Sequence, residues 1–80
     1  MNIDKELDVR GLNCPLPILR TKQALKGIEK GKVLKVTSTD PGSVKDFQAF
    51  ATQTGCELLE SGQLEGEYVF VLRMPLESKT

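Results

Sequence analysis

The 80-residue sequence has no histidine, no tryptophan, only two cysteines and no long apolar run. Each absence narrows what the chain can do. Without histidine, any mechanism lacks the side chain that titrates near neutral pH and most often serves as general base or metal ligand. Two cysteines, Cys14 and Cys56, cannot by themselves build a zinc site, and neither a metal nor a cofactor is expected. The longest uninterrupted apolar stretch, Tyr68 to Leu72, is five residues, whereas a membrane span needs about 20, so no membrane association is expected. The start, Met1-Asn2-Ile3-Asp4-Lys5-Glu6, has neither the basic nor the apolar region of a secretory signal. The chain therefore reads as cytoplasmic, where a structural disulfide between the two cysteines is not expected.

Net charge is also missing, since 11 basic residues balance 11 acidic ones. That balance argues against direct nucleic-acid binding through bulk charge. It hides an asymmetry: residues 1–40 carry eight basic and five acidic residues, and residues 41–80 carry three and six. Most of the positive charge lies between Arg20 and Lys35, with Glu29 the only acid there. A solvated basic face is the plain reading of such a stretch, and a docking surface the functional one.

What is present is the composition of a globular chain, 39% hydrophobic and 28% charged, long enough for one small domain over residues 1–80. Ile3, Leu7 and Val9 alternate among charges and predict a first strand over 3–9. From Cys14 the period becomes helical, with Ile18, Thr21, Ala24, Leu25 and Ile28 on one arc and Gly27 and Gly31 at its end. Lys32 to Thr39 is a β-branched run that predicts a second strand. Asp40-Pro41-Gly42-Ser43 predicts a helix start, with Asp40 as N-cap and Pro41 as first helical residue; Ser43 with Asp46 is the other capping option. Val44, Phe47, Phe50, Ala51 and Thr54 then form an apolar stripe closed by Gly55. Glu57–Leu64 and Glu67–Met74 predict a hairpin turning at Glu65-Gly66. The order βαβαββ implies a two-layer α/β (α+β) sandwich, with two helices on one face of a four-stranded mixed sheet.

The chemistry concentrates at Cys14-Pro15-Leu16-Pro17. Proline breaks a helix interior but is tolerated in the first turn, where its missing N–H has no partner anyway. With Cys14 as N-cap, Pro15 and Pro17 occupy N1 and N3 and hold the sulfur at the positive end of the helix. Leu16 N–H is then the nearest donor to the sulfur, and the expectation is a stabilised, reactive thiolate. The plain alternative is a small buried hydrophobe that happens to precede the helix.

The run Asp8-Val9-Arg10-Gly11-Leu12-Asn13-Cys14-Pro15-Leu16-Pro17 resembles the signature of the TusA/SirA-like family, small sulfur carriers with a Cys-Pro-x-Pro motif. Asp40-Pro41 followed by Asp46 resembles that family's second helix start. The likeness runs from about Glu6 to Arg73. It implies a βαβαββ sandwich and a sulfurtransferase that works as a persulfide carrier within a relay rather than as a self-sufficient enzyme. By this resemblance Cys14 accepts sulfur from a cysteine desulfurase or a rhodanese-type donor and passes it to an acceptor protein. Routes served by such carriers include tRNA thiolation, molybdenum-cofactor supply and sulfur oxidation. Arg10, Gly11, Pro15, Leu16 and Pro17 are the motif positions around the thiol, and the resemblance gives Cys56 no role.

The residues fit this chemistry independently. Sulfur transfer is an exchange at a thiolate, and a carrier needs one accessible thiol with no resolving cysteine beside it. Cys14 has none nearby in sequence. Leu16 and Leu19 fall off the core arc, so a partner could dock there against Leu19 with Arg20, Lys22 and Lys26 supplying charge. Two other readings stand beside the carrier: a regulatory module binding protein or RNA, and a redox switch pairing Cys14 with Cys56.

Overall fold

The computed structural model describes residues 2–75. β-Branched and aromatic residues concentrate in the two central strands, β2 and β4, and the two apolar stripes form the helices, in the order β1 (Lys5–Val9), α1 (Leu16–Leu25), β2 (Val33–Ser38), α2 (Ser43–Thr54), β3 (Glu57–Leu64) and β4 (Glu67–Arg73). The sheet runs β1-β2-β4-β3. β1 lies parallel to β2, with Val9 opposite Ser38. β4 is antiparallel to both β2 and β3, so the sheet is mixed as expected. Glu65 and Gly66, at φ 52° and 79°, make the two-residue turn between β3 and β4, the left-handed pair that matches strand twist in a tight hairpin.

α1 packs on β1 and β2, α2 packs on β3 and β4, and the helices touch each other. The core between them contains Val9, Leu25, Leu34, Val36, Phe47, Phe50, Phe70 and Leu72. At its centre Phe47 stacks on Phe70 with ring centroids 4.4 Å apart, and Phe50 meets Phe47 edge-on at 6.3 Å. Cys56, just before β3, is buried in this core.

The element ends differ from the expectations, each for a local reason. β1 begins at Lys5, because Asp4 is occupied with Val33: its N–H donates to the Val33 carbonyl and its carboxylate accepts Val33 N–H. α1 stops at Leu25, short of Gly27, after which Gly27 and Ile28 donate three residues back and tighten the chain into a turn. Thr21 is fully buried on the helix's inner face, its hydroxyl satisfied by the Pro17 carbonyl at 2.8 Å. α2 begins at Ser43 instead of Pro41, with Gly42 at the N-cap. Neither expected cap works as one. Ser43 turns its hydroxyl inward to Ser38 at 2.7 Å, and Asp40 stands two residues ahead of the N-cap, where its carboxylate accepts Gly42 N–H at 3.2 Å but no N–H inside the helix. Gly55 closes α2 in the left-handed conformation at φ 80°, as a C-terminal glycine does.

Candidate functional site

Three segments meet at the ends of β1 and β2. Arg10 follows β1 and is clamped by Asp8 and Glu67, at 2.9 and 3.3 Å. Its guanidinium holds the Asp8 carboxyl down to about 2 and fastens β1 to the start of β4. Gly11 then reverses the chain at φ 82°, a conformation that strains residues with a side chain, and its N–H donates to Thr39 Oγ1 at 2.8 Å. Asn13 accepts Leu16 N–H on its carbonyl at 2.8 Å, turning the chain into α1. The peptide bond between Cys14 and Pro15 is cis.

The cap of α1 is Pro15, not Cys14, and Leu16 is the first helical residue, with Pro17 at the second position. The sulfur sits outside the helix end. The donor expected to reach it, Leu16 N–H, is already bound to Asn13. What positions Cys14 is Asp40. One carboxylate oxygen accepts Cys14 N–H at 2.9 Å and the other accepts Gly42 N–H at 3.2 Å. A single side chain thus ties the approach to α1 to the approach to α2, across 26 residues of sequence.

Cys14 is exposed at the mouth of a hollow of about 180 Å³, lined also by Pro15, Ile18 and Lys22 from the α1 side and by Asp46, Phe50 and Gln53 from α2. Its Sγ and carboxylate oxygens of Asp40 and Asp46 lie within 4.8 Å of one another. The Asp46 carboxylate beside the sulfur pushes the thiol pKa up, and desolvation and the charge of Asp40 push the same way. The expected stabilised thiolate is thus overturned. A thiolate here faces two carboxylates, and the helix-end donor that was to favour it is occupied. Asp40 and Asp46 are site residues that chain periodicity could not reveal as partners of Cys14, because it treats them only as helix-start residues.

The trio is the one grouping with metal-compatible donors among the described residues. Both Asp40 oxygens already accept backbone N–H groups and nothing in the structure points to a cation, so no metal is assigned.

The other expected site residues divide. Pro15 lines the hollow, Pro17 is buried on α1, and Leu16 and Leu19 stand 44% and 46% exposed on the same helix. Arg20, Lys22 and Lys26 are exposed on the same helix. Only Lys22 reaches the Cys14 hollow; Lys22 and Lys26 also edge a larger groove of about 560 Å³ that Cys56 helps line. Arg10 is not brought to the sulfur; it lines a separate hollow with Glu6, Asp8 and Glu67. Cys14 and Cys56 are both free thiols. Asp46, beside Cys14, is eight residues before the end of α2 at Thr54, about 12 Å at 1.5 Å per helical residue, and Cys56 lies beyond that end, so the helix holds the two thiols apart. No helix among the described residues is long and apolar enough to cross a membrane.

The fold and site define a small α/β domain that presents one exposed cysteine ahead of a proline-initiated helix. The family model described as sulfurtransferase TusA matches residues 5–74, and the chain belongs to that family. It is 57% identical over 72 residues to the sulfur carrier protein TusA of Allochromatium vinosum, covering 90% of this chain and 95% of the relative. It is 35% identical over 72 residues to the sulfur carrier protein TusA of Pseudomonas aeruginosa, covering 90% and 91%. A crystal structure of a SirA-like protein from Desulfitobacterium hafniense superposes with a TM-score of 0.76 at 26% identity, covering 89% of this chain and 97% of that one.

Proposed function

We propose that this protein is a sulfur carrier that holds sulfane sulfur as a persulfide on Cys14. A donor protein's persulfide supplies it: the Cys14 sulfur attacks the outer sulfur, the donor's S–S bond breaks, and the donor's thiolate takes up the proton that Cys14 gives up. The step exchanges one persulfide for another and needs no oxidant. Onward transfer repeats it with the acceptor's thiol as nucleophile. The donor class is a cysteine desulfurase or a rhodanese-type protein, and the relay ends in tRNA thiolation, molybdenum-cofactor supply or sulfur oxidation. The observation that carries this reading is the single exposed thiol at a formed hollow, with the second cysteine buried in the core. A resolving thiol at the site would expel the sulfur as sulfide; the placement of Cys56 avoids this. Family membership and the sulfur-carrier names of the relatives support the same reading.

The test is intact mass after incubation with a cysteine desulfurase and cysteine. The expected result is a gain of one sulfur atom, reversed by reductant. Unmodified protein after that incubation, and after incubation with inorganic polysulfide, would overturn the reading.

Docking falls to the exposed face of α1. Leu16 and Leu19 offer apolar contact, and Arg20, Lys22 and Lys26 surround it with positive charge. Charges at such a rim act chiefly on association rate, and salt screens them over roughly 10 Å at 0.1 M. Reversing Lys22 and Lys26 to glutamate is expected to slow loading from the desulfurase severalfold at low salt, with the difference fading at high salt. Loading rates equal to the parent's at every ionic strength would remove this surface from consideration.

A further inference from the structure

We propose that Asp46 is a positioning residue for the carried sulfur: its carboxylate makes the inner sulfur of Cys14 a poor leaving group and so retains the cargo against small thiols. This rests on the persulfide-carrier reading and adds a residue that acts through Cys14. The argument begins with what faces the sulfur from each packed element. α2 contributes Asp46 from its first turn, the segment before α2 contributes Asp40, and α1 contributes Lys22 at the edge of the hollow. Gln53 completes the polar lining and carries no charge. The ion pairs among the described residues join Arg10 to Asp8 and Glu67, Lys35 to Glu6, and Arg73 to Glu57. Neither Asp40 nor Asp46 is neutralised by any of them. Asp40 spends its oxygens on two backbone N–H groups, which leaves Asp46, within 4.8 Å of the sulfur and lining the same hollow, as the carboxylate that faces the thiol.

Loss of the cargo is an exchange. A small thiol attacks the outer sulfur of the Cys14 persulfide, a new S–S bond forms, and the old one breaks. The inner sulfur departs as the Cys14 thiolate and takes the attacking thiol's proton. Atoms and electrons balance with no added oxidant. Negative charge therefore builds on the inner sulfur within reach of two carboxylates, and thiols of higher pKa leave more slowly. The upward push on the free thiol is the same electrostatic effect seen in the empty carrier. The site is thereby suited to holding sulfur between partners more than to reacting with whatever thiol diffuses past.

The experiment loads wild type, Asp46→Asn and Asp46→Glu with inorganic polysulfide, removes the excess, and adds glutathione. The sulfur retained on Cys14 is followed by intact mass. Asp46→Asn is expected to lose sulfur severalfold faster than wild type, because a thiol of lower pKa leaves faster. In parallel, the midpoint of iodoacetamide alkylation against pH should move down in Asp46→Asn and stay near wild type in Asp46→Glu. A merely structural role would change access or stability and leave that midpoint in place. Asp46→Ser serves as the second variant if Asp46→Asn fails to fold. Loaded wild type and asparagine variant losing sulfur at the same rate would overturn the proposal, whatever the midpoint does. Failure of the wild type to load at all would instead overturn the carrier reading, and this proposal with it.

Discussion

Cys14→Ser is expected to abolish sulfur loading while leaving stability within about 0.5 kcal/mol of the parent, as for surface substitutions away from special features. The side chain is exposed. The contact that fixes the backbone there is the Cys14 N–H donated to Asp40, which serine keeps. No capping gain accompanies the change, because the cap of α1 is Pro15. Cys56→Ser should do the reverse. Loading should persist, and a hydroxyl placed in the apolar cluster around Phe47 and Phe50 should cost about 1–3 kcal/mol. Intact mass after loading and urea unfolding of both variants separate the two roles. Loading that survived in Cys14→Ser, or vanished in Cys56→Ser, would show that the wrong thiol had been assigned.

The largest expected loss of stability is at Phe47. Its side chain is fully buried and lies against Phe70 at 4.4 Å with the rings 13° from parallel, so it is the main bolt between α2 and the sheet. Truncating a buried phenylalanine to alanine costs about 3–5 kcal/mol, a large share of the roughly 5–15 kcal/mol that holds a small domain together. Phe47→Ala is therefore expected to be largely unfolded or to melt far below the parent, while Phe47→Leu recovers much of the loss. The neighbouring residue is Asp46, so loosening α2 also releases the carboxylate beside the sulfur. Thermal unfolding followed by circular dichroism measures the first effect, and the alkylation midpoint of Cys14 in Phe47→Leu measures the second. A drop below about 1 kcal/mol in Phe47→Ala would mean that the aromatic stack is not what fastens α2.

The strands, the apolar stripes and the hairpin could be read from the sequence because each depends on periodicity within a few residues. Glu57–Leu64 forms the third strand with the expected bounds, and Glu65-Gly66 makes the expected turn. The helix starts could not be read in the same way. Asp40 and Cys14 both have the chemistry of an N-cap, and a local rule assigns them to the helix that follows. In the folded chain the Asp40 carboxylate accepts Cys14 N–H as well as Gly42 N–H, and the first of these bonds joins partners that are neighbours only after β1 and β2 have paired. The acidity of the thiol was misjudged for the same reason. Helix polarity is visible in sequence, whereas the arrival of Asp46 from the other helix is a tertiary event. The Cys-Pro-x-Pro pattern marks the cysteine proposed to carry sulfur, but its electrostatic setting is not legible there.

The Asp40 clamp divides the labour of the surface. Because the sulfur's backbone is held from the β2 side, its location does not depend on which side chains α1 shows to solvent. Arg20, Gln23 and Lys26 are exposed and make no side-chain hydrogen bond or ion pair among the described residues. If α1 is the docking face proposed above, substitutions there would alter partner choice without moving the Cys14 backbone, and recognition and cargo chemistry would be separately adjustable.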